Sequence, residues 1–322
     1  MEPPFEITAE AVGFLAEIER LLGRFEGLQQ PRPTPILRRS LRIRTVQGSV
    51  AIEGNALTED QITAVLDGRR VSGPSRDILE VQNALNAYER LSQWQSTCCR
   101  DLLEAHEVLM TGLLKEAGDW RRGKVGVLSG SRVTHVAPPD QLVAGRISDL
   151  LRFLESDAQT HPVALAAVVH YELEFIYPFK DGNGRIGRLW HSLILSQYHP
   201  LFLHVPIESV IRERQVEYYA VLRACDQSGR STQFVDFCLS ATLDALKWTL
   251  AEISPTTVTP FSRLATAREH FGTATFSRKD YCLVFPSLST ATASRDLRKA
   301  VDEGLASKSG QRALTRYAFI NR

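Results

Sequence analysis

Between two apolar stretches the chain carries Tyr177-Pro178-Phe179-Lys180-Asp181-Gly182-Asn183-Gly184-Arg185-Ile186-Gly187-Arg188. Glycines on either side of Asn183 can take positive φ, letting successive backbone N–H groups converge into a concave anion site. A helix starting there adds the positive end of its dipole. Arg185 and Arg188, three residues apart, share a helix face and can both reach a phosphate oxygen. Asp181, at the rim, is a hard carboxylate suited to Mg²⁺ shared with that phosphate. Asp-Gly-Asn-Gly alone is more often a plain interhelical turn; the flanking residues turn the reading toward a polyphosphate site.

The elements around this loop read as helices. Val163 to Ile176 is strongly apolar with few charges, which predicts a buried central helix, and Arg185 opens another that reaches about Tyr198. Helical spacing also predicts helices at about 76–94, 101–117 (ended by Gly118), 140–156, 208–226 and 231–252. Thr58-Glu59-Asp60-Gln61 has capping-box form. The rhythm breaks at Lys124 to Pro139, where Val125 to Leu128 and Arg132 to Val136 flank Ser129-Gly130-Ser131 as a β-hairpin. Ser254 to Pro260 is a Pro/Thr-rich linker. Beyond it come a helix at Arg278 to Phe285, a turn at Pro286-Ser287, a basic helix at Thr290 to Glu303 and a hairpin reaching Ile320, the order of a winged helix.

Composition bounds the possibilities. The 322 residues predict two domains, or one large domain with an appendage. With 43% hydrophobic and 23% charged residues, disordered and fibrous classes are excluded. Lys plus Arg number 38 against 37 Asp plus Glu, so a nucleic-acid partner would need a local basic patch. Cys98, Cys99, Cys225, Cys238 and Cys282 show no CxxC spacing, which fits a reducing compartment. The acidic first residues lack a signal-peptide core, and the longest apolar run, 163–169, cannot cross a bilayer, so a cytoplasmic protein without membrane contact is expected.

The loop resembles the signature of the Fic family, His-Pro-Phe-x-Asp/Glu-Gly-Asn-Gly-Arg-x-x-Arg, at every defined position after the first, from Pro178 to Arg188. The resemblance spans roughly 35 to 250 and implies a mainly α fold. Its parts would be an N-terminal helical region (1–95), a helical core with a β-hairpin flap (96–253), a linker (254–260) and a C-terminal winged-helix domain (261–322). It also implies transfer of AMP from Mg²⁺-ATP to a Ser, Thr or Tyr hydroxyl of a target protein. Asp181 would then hold Mg²⁺, Gly182, Asn183 and Gly184 would form the anion hole, and Arg185 and Arg188 would bind phosphates. Phe179 would anchor the loop in the core.

Ser49-Val50-Ala51-Ile52-Glu53-Gly54-Asn55 resembles the family's inhibitory segment, in which the glutamate pairs with the second motif arginine, here Arg188. The hairpin sits where the family has a target-docking flap, which would bring Arg132, Val133, Thr134 and His135 near the nucleotide. Tyr218 and Tyr219 resemble a pair lining the adenine pocket, and Asp226 falls where some relatives have an Asn. For the tyrosines, ordinary core packing is an equal reading.

One departure matters. The family's first motif residue is a histidine that takes the proton of the target hydroxyl, and here it is Tyr177. An unperturbed Tyr is ionised about one part in a thousand at pH 7, and losing a general base costs roughly 10² to 10⁴ in rate. Three readings follow: transfer persists with Tyr177 ionised by nearby arginines and metal or with His135 substituting; the chain is a nucleotide-binding regulator acting through its winged helix on DNA or protein; or Tyr177 is itself modified.

DNA contact would run through 278–316, with Thr290, Thr292, Ser294, Arg295, Arg298 and Lys299 on the helix and Arg312 and Arg316 on the wing, opposed by Asp296 and Asp302. Cys98-Cys99 carries no chemistry in this reading, and Glu172 and Glu174, two apart, form no acid–base pair. His170 and His191 read as hydrogen-bonded core residues.

Overall fold

A computed structural model of the chain describes residues 2–27, 33–123, 126–129, 132–253, 260–285, 288–310 and 315–320. Side-chain positions in the hairpin, including Arg132 to His135, lie outside the described residues. So do most of the expected linker, the 286–287 turn and Arg312. Packing groups the chain into two units, Met1–Pro31 with Arg39–Ala251, and Arg32–Arg38 with Glu252–Arg322.

The first unit is helical. In chain order it holds α1 (Ala9–Glu26), α2 (Pro35–Ile52, whose first residues group with the other unit), α3 (Glu59–Leu66), α4 (Ser75–Glu89) and α5 (Cys99–Met110). A hairpin of β1 (Gly126–Ser129) and β2 (Arg132–Val136) follows, and then α6 (Val143–Ser156), α7 (Pro162–Ile176), α8 (Asn183–Tyr198), α9 (Ile207–Glu213), α10 (Gln215–Ser228) and α11 (Thr232–Ile253). The strands are antiparallel, Gly126 opposite Val136, with a register shift at Val127/Leu128.

The apolar character of α7 dictates its place: 11 of its 15 residues are buried, and α8 packs along it. The loop between these two helices is thereby fixed at both ends. A separate apolar cluster of Val46, Val50, Leu57, Ile62, Val81 and Leu85 joins α2, α3 and α4, and so positions the turn that ends α2. Thr58 and Gln61 form the capping box at α3 that the sequence predicts.

Several helices end where the periodicity does not. The 101–117 helix stops at Met110 because Gly112, at φ +72°, turns the chain just past it. The 76–94 helix gives way after Glu89 to a 3₁₀ turn, Leu91–Gln93, that delivers buried Trp94 to the core. Asp140–Leu142 is likewise a 3₁₀ turn before α6. The 208–226 helix is split at Arg214, whose guanidinium stacks 4.7 Å over Phe237 and donates to Ser240 at 3.0 Å and to Glu217 at 2.9 Å. Among the described residues no helix is long and apolar enough to cross a membrane.

The second unit contains α12 (Pro260–Phe271), α13 (Arg278–Val284), α14 (Thr290–Asp302) and an antiparallel pair, β3 (Ala306–Ser309) with β4 (Arg316–Phe319). Its core includes Leu264, Phe276, Tyr281, Leu297 and Phe319. Within it Arg263 and Asp296 form a buried ion pair (Nη2 to Oδ1, 2.8 Å), and the Tyr281 hydroxyl adds a bond to Asp296 at 3.3 Å.

Candidate phosphate site

The α7–α8 loop is assembled from both ends. Tyr177 terminates α7 in the left-handed region (φ 53°, ψ 59°), alone among described non-glycine residues in having positive φ. Such a conformation costs roughly 1–2 kcal/mol and persists only where surroundings impose it. Here the Tyr177 N–H donates to Leu173 O at 3.0 Å, and its carbonyl accepts from Arg121 Nε at 2.6 Å.

Buried Arg121 also donates to the carbonyls of Gly123 (2.9 Å), Pro138 (2.5 Å) and Ile176 (3.4 Å). One guanidinium thus ties both feet of the hairpin to the start of the loop.

Phe179 is fully buried and stacks on His106, ring centroids 3.6 Å apart. His106 Nδ1 accepts from the Gly118 N–H at 3.0 Å, so Nε2 carries the proton and donates to Asp181 O at 2.9 Å. Burial lowers the His106 pKa to about 4, keeping the ring neutral. The Asn183 amide closes the loop on itself, accepting from the Phe179 N–H and donating to the Phe179 carbonyl, both at 2.9 Å. The Asn183 side chain thus braces the loop, and it also hydrogen-bonds the Tyr177 side chain. Gly182, at φ +82°, starts α8, and a Cβ there would stand 2.7 Å from Met110 Sδ.

The two arginines diverge instead of converging. Arg188, buried in α8, donates to Glu53 Oε1 at 2.6 Å and to Ser49 O at 3.1 Å. Burial opposes its charge, but Glu53, with help from Tyr218 and Glu174, outweighs this, and the guanidinium stays protonated. The Glu53 carboxylate also covers Gly184, where a Cβ would meet Oε1 at 2.5 Å. Arg185 turns the other way, pairing with Glu80 on α4 and with Asp181 at 3.1 Å.

The Fic/DOC family model matches residues 96–195. A solved Fic family protein from Desulfovibrio desulfuricans G20 is 39% identical, with a TM-score of 0.77 over 100% of this chain and 99% of that one. The chain belongs to the Fic family. Fic-1 from C. elegans superposes with a TM-score of 0.64 at 25% identity, over 76% of this chain and 73% of that one. The protein named protein adenylyltransferase Fic from Drosophila erecta is 32% identical over 219 residues, 64% of this chain and 42% of that protein. Its namesake from Aedes aegypti is 31% identical over 231 residues, 66% of this chain and 43% of that protein. The chain spans less than half the length of these curated relatives.

In this Fic chain the expected pocket residues are placed unevenly. Tyr218 is wholly buried, its hydroxyl 3.2 Å from both His170 Nε2 and Glu174 Oε1, so it is core and not an open wall. Tyr219 is partly exposed and donates to Ile52 O at 3.3 Å. Asp226 accepts from the Tyr171 hydroxyl at 3.2 Å. His170 and His191 are buried core residues as expected, yet His170 Nδ1 and His191 Nε2 find no hydrogen-bond partner among the described residues.

The Tyr177 hydroxyl pKa is raised by the protein's own groups, first by burial and then by Glu174, with the Asn183 side chain acting in the opposite sense. Glu172 and Glu174 do point apart, as their spacing requires. Glu174 meets Tyr218, while Glu172 lines a cavity of about 640 Å³ between α6 and α7, where burial raises its pKa to about 7.

Asp181 Oδ1 accepts from the Gly182 N–H at 2.7 Å, and Oδ2 lies 3.7 Å from Arg76 on a half-exposed side chain. That leaves an open carboxylate edge of the kind Mg²⁺ uses when it arrives with phosphates. Among the described residues no cluster of three His, Cys, Asp or Glu could hold a metal alone.

Arg121, His106 and Glu80 carry much of this geometry without a local signal in the sequence, since each acts on residues more than twenty positions away, and Asn55 stood there only as the end of the 49–55 segment.

Proposed function

We propose that the chain is a protein adenylyltransferase that moves AMP from Mg²⁺-ATP to a Ser, Thr or Tyr hydroxyl of a target protein and is restrained by Glu53. The observation that carries this reading is an anion already lying at the start of α8: the Glu53 carboxylate, bonded to Arg188 and covering Gly184. When it leaves, Arg188 and the backbone N–H groups of the Gly182–Gly184 turn offer a phosphate the same positive end of a helix. The names of the Drosophila and Aedes relatives support the activity.

In the reaction the target oxygen bonds to the α-phosphorus, the bond to the bridging oxygen breaks, and pyrophosphate leaves. Mg²⁺, held by Asp181 with the phosphates, would neutralise charge on them. Tyr219 and Asp226 are assigned to the adenine side, with Arg132 to His135 covering the nucleotide from the flap. While Tyr177 keeps its proton, the hydroxyl proton passes to solvent or to the departing pyrophosphate without a general base, so transfer is expected to run roughly 10² to 10⁴ below that of a histidine-bearing site. Five free cysteines fit the reducing cytoplasm as its location.

Four proteins test this with α-labelled ATP and Mg²⁺: the chain as it stands, Glu53→Gly, Tyr177→His and the double variant. Glu53→Gly is expected to raise both ATP affinity and self-labelling, and the double variant to label most. Unchanged affinity and no label in all four would refute the assignment.

A second reading has a specific support. Asp296, one of two acids that opposed DNA contact in the sequence, is buried against Arg263 and Tyr281, so the exposed face of α14 keeps Arg295, Arg298 and Lys299, with Asp302 still exposed and Lys299 3.7 Å from Glu303. A nucleotide-responsive regulator contacting DNA through residues within 278–316 would use that face.

A further inference from the structure

The turn that carries Glu53 is fastened to more than Arg188. After Ile52, the Glu53 N–H bonds Val50 O at 3.1 Å, the Gly54 N–H bonds Ala51 O at 3.0 Å and the Asn55 N–H bonds Val50 O at 3.2 Å. Gly54, at φ +94°, supplies the left-handed step. The reversal turns Glu53 toward α8 and Asn55, one residue past the glycine, toward α4.

There the buried Asn55 amide is fully used. Nδ2 donates to Asp77 O at 3.0 Å and to Glu80 Oε2 at 2.8 Å, while Oδ1 accepts from the Leu57 N–H at 3.1 Å. The other oxygen of Glu80 pairs with Arg185, so this carboxylate bridges the inhibitory turn and the first motif arginine. The Glu80 and Arg185 side chains are 13% and 6% exposed, so the bridge lies largely out of water, where a charge-assisted bond is strongest.

The three residues 53–55 therefore touch both motif arginines, Arg188 directly and Arg185 through Glu80. A rotation of Glu53 alone would leave the second link intact, whereas movement of the whole turn must break it.

We propose that Asn55 and Glu80 are positioning residues that hold the inhibitory turn closed, so that the strength of Glu53 inhibition is set at α4 as well as at Arg188. This rests on reading the site as a nucleotide site under Glu53 control. The Asn55–Glu80 bond is one hydrogen bond to a charged group, so its loss is expected to weaken closure about tenfold.

The test uses the full chain and Mg²⁺-ATP, with affinity read by calorimetry, self-labelling by α-labelled ATP, and melting as a control of folding. Asn55→Ala is expected to bind ATP about tenfold more tightly, approaching Glu53→Gly, and to add nothing when combined with Glu53→Gly. If Asn55→Ala matches the parent while Glu53→Gly binds more tightly, the positioning role is wrong and the nucleotide site stands. An equal gain in the Glu53→Gly background also overturns it, because Asn55 would then act on the site directly. No change in affinity with Glu53→Gly removes the premise itself. Should Asn55→Ala lose cooperative melting, Asn55→Ser is put through the same comparison and decides.

Discussion

The motif loop keeps its shape through single side chains that never meet a phosphate. His106 shows how. Held neutral in the fold with a pKa of about 4, it joins Gly118 to Asp181, the residue assigned to the cation. The unfolded chain takes up a proton near 6.5, so folded-state stability is intact above that pH and is lost as pH falls toward 4. The loss amounts to roughly 3 kcal/mol. His106→Gln is expected to flatten the decline of unfolding free energy between those pH values by about that amount, measured by urea titration; an unchanged slope would show that the ring is not held neutral. Local chemistry made the loop legible in sequence: glycine φ freedom, a helix start and a carboxylate at its rim. It could not show that the Asn183 amide bonds the Phe179 backbone, because a side chain's partner depends on where the backbone folds back.

Helices were legible as far as their apolar spacing extended, and their ends were not. Gly112 and Arg214 stop or split helices through a left-handed turn and a set of contacts to α11 that periodicity does not encode. The placement of α2, which leads into the Glu53 turn, depends on a close approach that only Gly48 permits. A Cβ at that position would lie 2.6 Å from the backbone of Glu208 and Ser209. Backbone cannot yield as a side chain tip can, so Gly48→Ala is expected to cost about 1–3 kcal/mol. Gly13→Ala, in α1 with nothing within 4 Å, is expected to stabilise by about 0.5–1 kcal/mol. Denaturant midpoints moving in the same direction for both would contradict this account of α2.

For the molecule as a whole, formal charge is nearly balanced, so any DNA contact must come from a local face. The exposed cations of α14 provide one, freed of Asp296 by the buried pair with Arg263. If that face meets DNA, the logarithm of the affinity falls linearly with the logarithm of salt concentration, and Arg295→Ala and Arg298→Ala each flatten the slope by about one phosphate contact. A salt-independent affinity, or variants with the parent slope, would assign the face to a protein partner.

By itself the sequence determined the helical class and the glycine-rich loop motif, because these rest on periodicity, glycine conformation and short-range spacing, while the 49–55 segment stood out only by its family resemblance. The pairing of Glu53 with Arg188 was expected through family resemblance; spacing across 135 residues could not supply it. Only the tertiary structure turned Arg185 away from Arg188 toward Glu80, tied Asn55 to that same carboxylate and set half-buried Tyr177 near Glu174. Ion pairs and pKa shifts depend on which charges share a low-dielectric space, and that is decided when helices pack.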